Sequence, residues 1–271
     1  MIVTVIDTPA PAAVASMTFQ PGQPLPGWTH DWPPPEVVTV DLGAVVRARP
    51  AHVGSKASVL DLYPVIEIGV GDRLQISADD GITYEAWKGR TLSFGPVLEY
   101  REAFRDQLPK SAPFLPDAIE AGGFAFWKTP LGDIQTRLRR ALTNYQGWSG
   151  DVAFDTGGYV TPRFGIGLEL RAQWVEANYT RHYFDIHPQH APIFSWPRFG
   201  AGVYDTDGAQ LTAGYRVTPR LTVFTQASLD RIFGDQWRPP VLKTRNLAMV
   251  TTGLTWRFGR ILPYGKMDDR P

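Results

Sequence analysis

A nearly identical phrase occurs twice in the chain, and each copy leads into a run in which apolar and polar side chains alternate. The copies are GYVTPRF at residues 158–164 and GYRVTPRL at residues 214–221. Successive side chains of a β-strand point to opposite faces, so a period of two predicts a strand with two different faces. Thr-Pro-Arg suits the preceding turn, because Pro fixes φ and has no N–H to donate to a strand ladder.

The same alternation predicts twelve strands, near residues 36–48, 58–70, 72–79, 82–88, 91–104, 117–128, 132–145, 150–160, 163–175, 208–217, 220–231 and 246–258. Their connections alternate in length. Short ones contain GVGDR, WKGR, KTPLGD, VTPRF and VTPRL. The others include 49–58, 106–116, 176–208 and 233–245, with short exceptions at 79–81 and 146–148. Short turns at one end and longer loops at the other predict an all-β, up-and-down antiparallel barrel with both termini on the short-turn side.

The two faces of these strands differ sharply in polarity. One carries Leu, Ile, Val, Phe and Trp, for example in the series Phe164, Ile166, Leu168 and Leu170. The opposite face carries eight acidic and seven basic residues: Asp41, Arg47, Glu67, Glu99, Arg101, Glu120, Arg137, Arg139, Asp151, Asp155, Glu169, Arg171, Arg216, Asp230 and Arg257. A membrane barrel turns its polar face inward. We therefore predict a transmembrane barrel with these charges in its lumen; a soluble β-sandwich or lipocalin-like barrel is the alternative.

Two details refine the membrane prediction. Arg140 falls on the apolar face, which predicts a bulge or a position near the rim. Aromatic residues near the strand ends are expected to form the interfacial girdles: Trp87, Tyr100, Trp127, Tyr145, Trp148, Trp174, Tyr215 and Trp256. Ordinary strand packing is the alternative reading of these rings.

Composition excludes several classes of protein. The chain has 27 basic residues (lysine and arginine) and 27 acidic residues (aspartate and glutamate), so its formal net charge is zero. This balance argues against a nucleic-acid partner. Without cysteine, disulfides and thiolate metal sites are impossible. The start of the chain lacks the basic region and apolar core of a secretory signal, which suggests a processed chain, a trimmed one or a misplaced start.

Three regions follow from these patterns. Residues 1–35 carry eight prolines and form an arm, expected to lie in the periplasm or to act as a plug. Residues 36–258 form the barrel, and residues 259–271 form a C-terminal extension. Each tail could occupy the lumen, dock on a periplasmic partner or be disordered.

The longest loop contains the strongest hint of catalysis or metal binding. His182, His187, His190, Asp185 and Ser195 all lie there. A Ser-His-Asp hydrolase needs its base on a rigid element, and the histidine spacing matches no familiar metal site. We therefore expect no catalytic residue, no metal and no cofactor.

The last strand and five further segments resemble one known family. TTGLTWRF places Thr251, Gly253, Trp256 and Phe258 in the spacing of the signal read by the outer-membrane assembly machinery. ARPAHVGSKASVLDLYPVIEIGVGDRLQIS, LSFGPVLEYR, AIEAGGFAFWKTPLGDIQTRLRR, WSGDVAFDTGGYVTPRFGIGLELRAQWVEANYTRHYFDI and DGAQLTAGYRVTPRLTVFTQASLDRIFGD follow in the expected order. Together they resemble the MipA/OmpV family, the MltA-interacting protein family. GRILPYGKMDDRP after Phe258 and the length of the proline-rich arm depart from that pattern.

The resemblance implies a barrel in the outer membrane of a Gram-negative bacterium, surrounded by lipid and lipopolysaccharide and inserted by the barrel assembly machinery. It further implies a scaffold joining a periplasmic lytic transglycosylase to a murein synthase, or binding another envelope protein through its tails. A porin-like channel for small solutes is the alternative function. The resemblance supplies no catalytic residue, so we expect no enzyme. Near balance of the lumen charges favours internal pairing over a strongly selective pore.

Overall fold

The structure is a computed structural model, and it describes residues 38–78, 80–101, 106–107, 117–144, 147–161, 163–177, 204–233 and 243–259. The proline-rich arm and nearly all of the C-terminal extension lie outside these ranges. So do Tyr145 and the histidine-containing loop. Within the described residues, no helix is long and apolar enough to cross a bilayer.

The described chain is a succession of antiparallel strands: β1 (Val38–Pro50), β2 (Ser58–Val70), β3 (Leu74–Ser77), β4 (Gly81–Tyr84), β5 (Trp87–Lys88), β6 (Leu92–Arg101), β7 (Ala118–Thr129), β8 (Gly132–Ala141), β9 (Trp148–Tyr159), β10 (Phe164–Val175), β11 (Tyr204–Arg216), β12 (Leu221–Phe233) and β13 (Asn246–Gly259). Both β4 and β5 pair with β6, so they form one interrupted strand of the wall. The first strand pairs with the last, from Thr39 with Gly259 to Ala48 with Val250, and this pairing closes the barrel. The prediction of an antiparallel barrel of about 12 strands is confirmed.

The five short connections and both ends of the described barrel lie at one rim, which we call the short-turn rim. The two copies of VTPR form the same turn there. Thr161 Oγ1 accepts hydrogen bonds from the backbone N–H groups of Arg163 and Phe164, and Thr218 Oγ1 accepts the equivalent pair from Arg220 and Leu221. The repeated phrase therefore encodes one turn used at two equivalent places.

Strict alternation separates the outer and inner faces of the wall. Along β12, every second residue from Thr222 to Ile232 is buried and those between are exposed, apart from half-buried Leu221 at its start. Seven of the eight aromatic residues predicted for the girdles face outward, between 40 % and 54 % exposed, and the eighth lies outside the described residues. Arg140 also faces outward, as the next-to-last residue of β8. Its register continues unbroken from Arg139 opposite Ser149 to Arg140 opposite Trp148, so a rim position explains it without a bulge.

The hairpin of β3 and β4 is much shorter than the alternation predicts. Its turn ends at Gly81, whose φ is +75°, and a Cβ there would lie 2.2 Å from the Leu98 backbone oxygen. Only glycine allows the hairpin to turn this close to β6. The hairpin therefore covers only the short-turn half of the neighbouring strand β2.

From Ser58 to Val65, the edge of β2 that points away from β1 has no partner strand among the described residues. The N–H of Ala78 donates to the Ile66 oxygen, so the backbone N–H and C=O groups of the even-numbered residues of β2 point toward that edge. Leu60 and Leu62 there are 75 % and 71 % exposed, against 48 % for Leu254 in a fully paired strand. Pro64 is one of these even-numbered residues. Its backbone nitrogen points toward the unpaired edge, so its missing N–H costs no hydrogen bond to β1.

Candidate functional site

The lumen is the candidate site, because the inner face gathers nearly all of the buried charge. All fifteen charged residues predicted from sequence to line it are inward-facing and at most 9 % exposed, among them Glu67, Glu99, Arg101, Glu120, Arg137, Arg139, Asp155, Glu169, Arg171 and Arg216. The alternation of the strands explains this placement, since each follows or precedes an outward apolar residue.

An ion-pair cluster spans the inner face of strands β6 to β9; we call it the β6–β9 cluster. Its members are Asp80, Glu99, Arg101, Glu120, Arg137, Arg139, Ser149 and Asp151. Arg139 lies at its centre, fully buried, and contacts three carboxylates, those of Glu99, Glu120 and Asp151. Charge-assisted hydrogen bonds are roughly twice as strong as those between neutral groups.

The other arginines of the cluster link strands that are not neighbours. Arg101 Nε lies 2.7 Å from Glu120 Oε1, and its Nη2 donates to Ser149 Oγ at 3.3 Å, three strands away. Arg137 Nε donates to Asp151 Oδ2 at 3.0 Å. Its Nη1 donates to Asp80 Oδ1 at 3.1 Å, and this bond joins the β3–β4 turn to β8. The cluster therefore cross-braces the wall through the lumen.

A second set of pairs stabilises the opposite wall. Arg171 on β10 reaches over β11 to Asp230 on β12, with Nε and Nη2 donating at 2.8 and 2.7 Å. Its Nη1 also donates to Glu169 at 2.9 Å. Arg257 pairs with Asp41 across the seam between β13 and β1. The closing seam is therefore held by a buried ion pair as well as by the strand ladder.

Sequence reasoning missed several lumen residues. Arg49 is 1 % exposed and contacts Asp61 and Asp106. It was not predicted to face the lumen, because it lies at the end of a strand and precedes a proline. The alternation between Leu60 and Leu62 was the signal that would have placed Asp61 inside. Small apolar clusters also face inward, one of them formed by Val97, Phe124 and Phe126.

Three carboxylates form a row across neighbouring strands on the short-turn half of the lumen. Asp133 on β8 lies opposite Asp155 on β9, which in turn lies opposite Glu169 on β10. Asp155 is 1 % exposed, and its Oδ2 has no hydrogen-bond partner among the described residues. Like charges directly opposite each other destabilise a sheet. The described residues contain no group of three or more acidic or histidine side chains placed to hold a metal ion.

The four residues of the predicted assembly signal divide between the two faces of β13. Thr251 is buried on the inner face, and Trp256 and Phe258 face outward, 40 % and 46 % exposed. A Cβ on Gly253 would lie 2.3 Å from the Ala44 oxygen, so glycine allows β13 to approach β1 closely at the seam.

The candidate hydrolase or metal residues of the long loop, His182, Asp185, His187, His190 and Ser195, lie outside the described residues. At the level of Arg139, the described lumen is occupied by charged side chains that pair with one another. A solute crossing at the level of Arg139 would have to displace side chains that are between 0 % and 7 % exposed and bonded to one another.

The closed antiparallel wall, the apolar outer face and the charged inner face define an outer-membrane β-barrel of Gram-negative type. More particularly, the chain belongs to the MipA family: the family described as MltA-interacting protein MipA matches residues 42–258. The match runs from β1 to β13.

No curated protein matches the sequence, whereas several solved structures do match the structure. One is OmpTdeltaL8, a loop L8 deletion mutant of OmpT from Vibrio cholerae, at 9 % identity and a TM-score of 0.41, over 82 % of this chain and 98 % of that one. Another is the COG4313 outer membrane channel from Pseudomonas putida F1, at 11 % identity and a TM-score of 0.40, over 85 % and 99 % of the two chains.

Proposed function

We propose that this protein is a closed outer-membrane barrel that works as a scaffold for envelope machinery and is not an enzyme. The observation that carries the proposal is the β6–β9 cluster, whose buried charges fill the lumen with pairs between strands. A strongly conducting pore would need charges exposed to water along its path. Function then falls to the surfaces of the barrel and to its tails.

The family supplies the class of partner. Its description, MltA-interacting protein, implies an envelope protein as partner. From the resemblance of the sequence to this family, we propose a periplasmic lytic transglycosylase, which the scaffold would join to a murein synthase. The short-turn rim, with both ends of the barrel, is proposed to face the periplasm, because the tails emerge there and periplasmic turns of such barrels are short. Binding would then involve this rim and the tails.

The test combines conductance with binding. Purified full-length protein is reconstituted in planar bilayers, and its folding is verified by heat-dependent gel mobility. We expect no steady current steps, with or without residues 1–35, and saturable binding of the lytic transglycosylase of the same organism. Ohmic steps from the full-length protein would favour the alternative, a porin-like channel for small solutes. Steps only after trimming would identify the arm as a plug.

A further inference from the structure

The short-turn rim carries a ring of arginines. Four of its five turns contain one near their end: Arg73 before β3, Arg90 before β6, Arg163 before β10 and Arg220 before β12. Turns of successive hairpins lie two strands, about 10 Å, apart along the rim. We call these four residues the rim arginines. The repeated VTPR phrase places two of them in equivalent turns.

The rim arginines are short of carboxylate partners. Within the part of the chain that the structure describes, Arg90, Arg163 and Arg220 form no ion pair. Arg73 has only Asp72, at 4.0 Å, and Asp72 also contacts Lys88 at 3.6 Å. This contrasts with the lumen, where every arginine of the β6–β9 cluster contacts at least one carboxylate.

Two rim arginines each donate a hydrogen bond to a backbone carbonyl of a neighbouring segment. Nη1 of Arg73 donates to the Glu85 oxygen at 3.1 Å, and Nη1 of Arg220 donates to the Arg257 oxygen at 3.2 Å. Both acceptors are backbone carbonyls of inward-facing residues. A guanidinium has five N–H donors, so each retains donors for a carboxylate.

The segment preceding the barrel has the opposite charge. Residues 1–37 contain Asp7, Asp31 and Glu36 and neither lysine nor arginine. Trp28 and Trp32 flank Asp31, and indole faces bind guanidinium groups. The segment joins the barrel at Val38, which pairs with Val70, just before the turn that contains Arg73. On the other side of β1 lies β13, whose Arg257 oxygen binds Arg220.

The lengths also fit. A closed wall of twelve strands, tilted by about 40°, is roughly 24 Å across. Glu36 is two residues from Val38, within about 7 Å, and Asp31 is seven residues away, within about 24 Å. The first acidic residue can therefore reach the turn of Arg73, and the second can reach any turn of the rim.

We propose that the short-turn rim is a docking surface for the N-terminal arm of the same chain, with Glu36 and Asp31 bound by the rim arginines. The arm would then lie across the short-turn end of the barrel and be released by salt or by a competing acidic protein surface. Screening within about 10 Å at 0.1 M salt makes such docking strongly dependent on ionic strength. This inference does not depend on the scaffold proposal.

The chain has no cysteine, so two introduced cysteines can be labelled cleanly. We suggest Thr29→Cys in the arm and Leu131→Cys, an 81 % exposed residue on the far side of the rim, in the full-length protein. Spin-label distances are measured in zwitterionic detergent at 50 mM and at 1 M salt. We expect a narrow distribution within about 25 Å at low salt and a broad, longer one at high salt.

Substitutions separate docking at the rim from general charge effects. Arg163→Glu with Arg220→Glu is expected to broaden the low-salt distribution as high salt does, and adding Asp31→Lys with Glu36→Lys should narrow it again. Arg140→Glu with Arg231→Glu, exposed and near the opposite rim, is the matched control and should change nothing. Heat-dependent gel mobility verifies folding of each variant. A broad distribution that ignores salt, or equal effects of the control pair, would overturn the proposal. The proposal would also be overturned if the narrow distribution is absent in zwitterionic detergent and appears only when the protein is placed in vesicles containing anionic lipid.

Discussion

Replacing Arg139 by methionine tests whether the β6–β9 cluster stabilises the barrel. The substitution keeps an unbranched side chain that matches the aliphatic part of arginine but removes the cation that contacts Glu99, Glu120 and Asp151. Removing one partner of a buried ion pair typically costs about 3–5 kcal/mol, because the remaining charge is uncompensated. Arg101 and Arg137 remain beside these carboxylates, so we expect the lower end of that range, a loss of about 3 kcal/mol.

Arg140→Met is the matched control, because the next residue points to the other face of the same strand. Its guanidinium lies 5.9 Å from the ring centroid of Trp148, a contact that contributes about 0.5–1 kcal/mol at an exposed site. Both variants are unfolded in urea from lipid vesicles and followed by tryptophan fluorescence and gel mobility. The difference between them should be about 2 kcal/mol, a factor of roughly 30 in the unfolding equilibrium.

A compensating variant sharpens the result. Adding Glu99→Gln to Arg139→Met removes one of the uncompensated charges, so part of the lost stability should return. Equal stability of Arg139→Met and Arg140→Met would refute the conclusion that the cluster is desolvated. It would mean that water reaches Arg139 and that the lumen is open at this level.

Two further predictions concern the wall. Leu170→Arg, at the middle of β10 on the outer face, should cost about 2–4 kcal/mol in vesicles, whereas Leu131→Arg in a rim turn should cost less than about 1 kcal/mol, because the penalty falls with distance from the bilayer centre; urea unfolding measures both. Gly81→Ala should destabilise the β3–β4 hairpin by more than the positive φ of +75° alone costs, because the added Cβ would lie 2.2 Å from the Leu98 backbone oxygen. That backbone strain is about 1–3 kcal/mol, and hydrogen exchange of Ile82 and Thr83 reports the hairpin locally.

Sequence periodicity was sufficient for the wall and the faces, because a barrel between lipid and a polar lumen imposes the same period of two on every strand. Glu169 and Arg171 were assigned to the lumen for that reason alone. Periodicity was insufficient for the lengths of β3 and β4: the connection at 79–81 was predicted close to where the chain turns, but the flanking strands, predicted at 72–79 and 82–88, are only Leu74–Ser77 and Gly81–Tyr84. The turn depends on Gly81 packing against the Leu98 backbone, a contact between residues distant in sequence.

The sequence also did not predict which acidic and basic side chains of the lumen pair with each other. Arg171 binds Asp230 two strands away, although Asp155 and Gln210 are the inward residues near it on the adjacent strands. Which charges meet across a lumen depends on the stagger of the strands and on the reach of each guanidinium, and neither is written in local periodicity. Equal numbers of acids and bases predict that pairing occurs, and only register decides which pairs form.

The two charged regions of this barrel suggest a division of labour within one architecture. Lumen arginines are bound by carboxylates of the wall and so contribute to stability and closure. Two rim arginines, Arg163 and Arg220, stand in turns that a threonine cap already stabilises, at Thr161 and Thr218, and so these turns do not require their charge. An arginine in a turn that would fold without it, with no carboxylate partner among the described residues and at the rim where an acidic segment joins the barrel, is better explained by binding than by folding. Reversing the rim charges should therefore leave unfolding in urea unchanged while it alters the position of the arm.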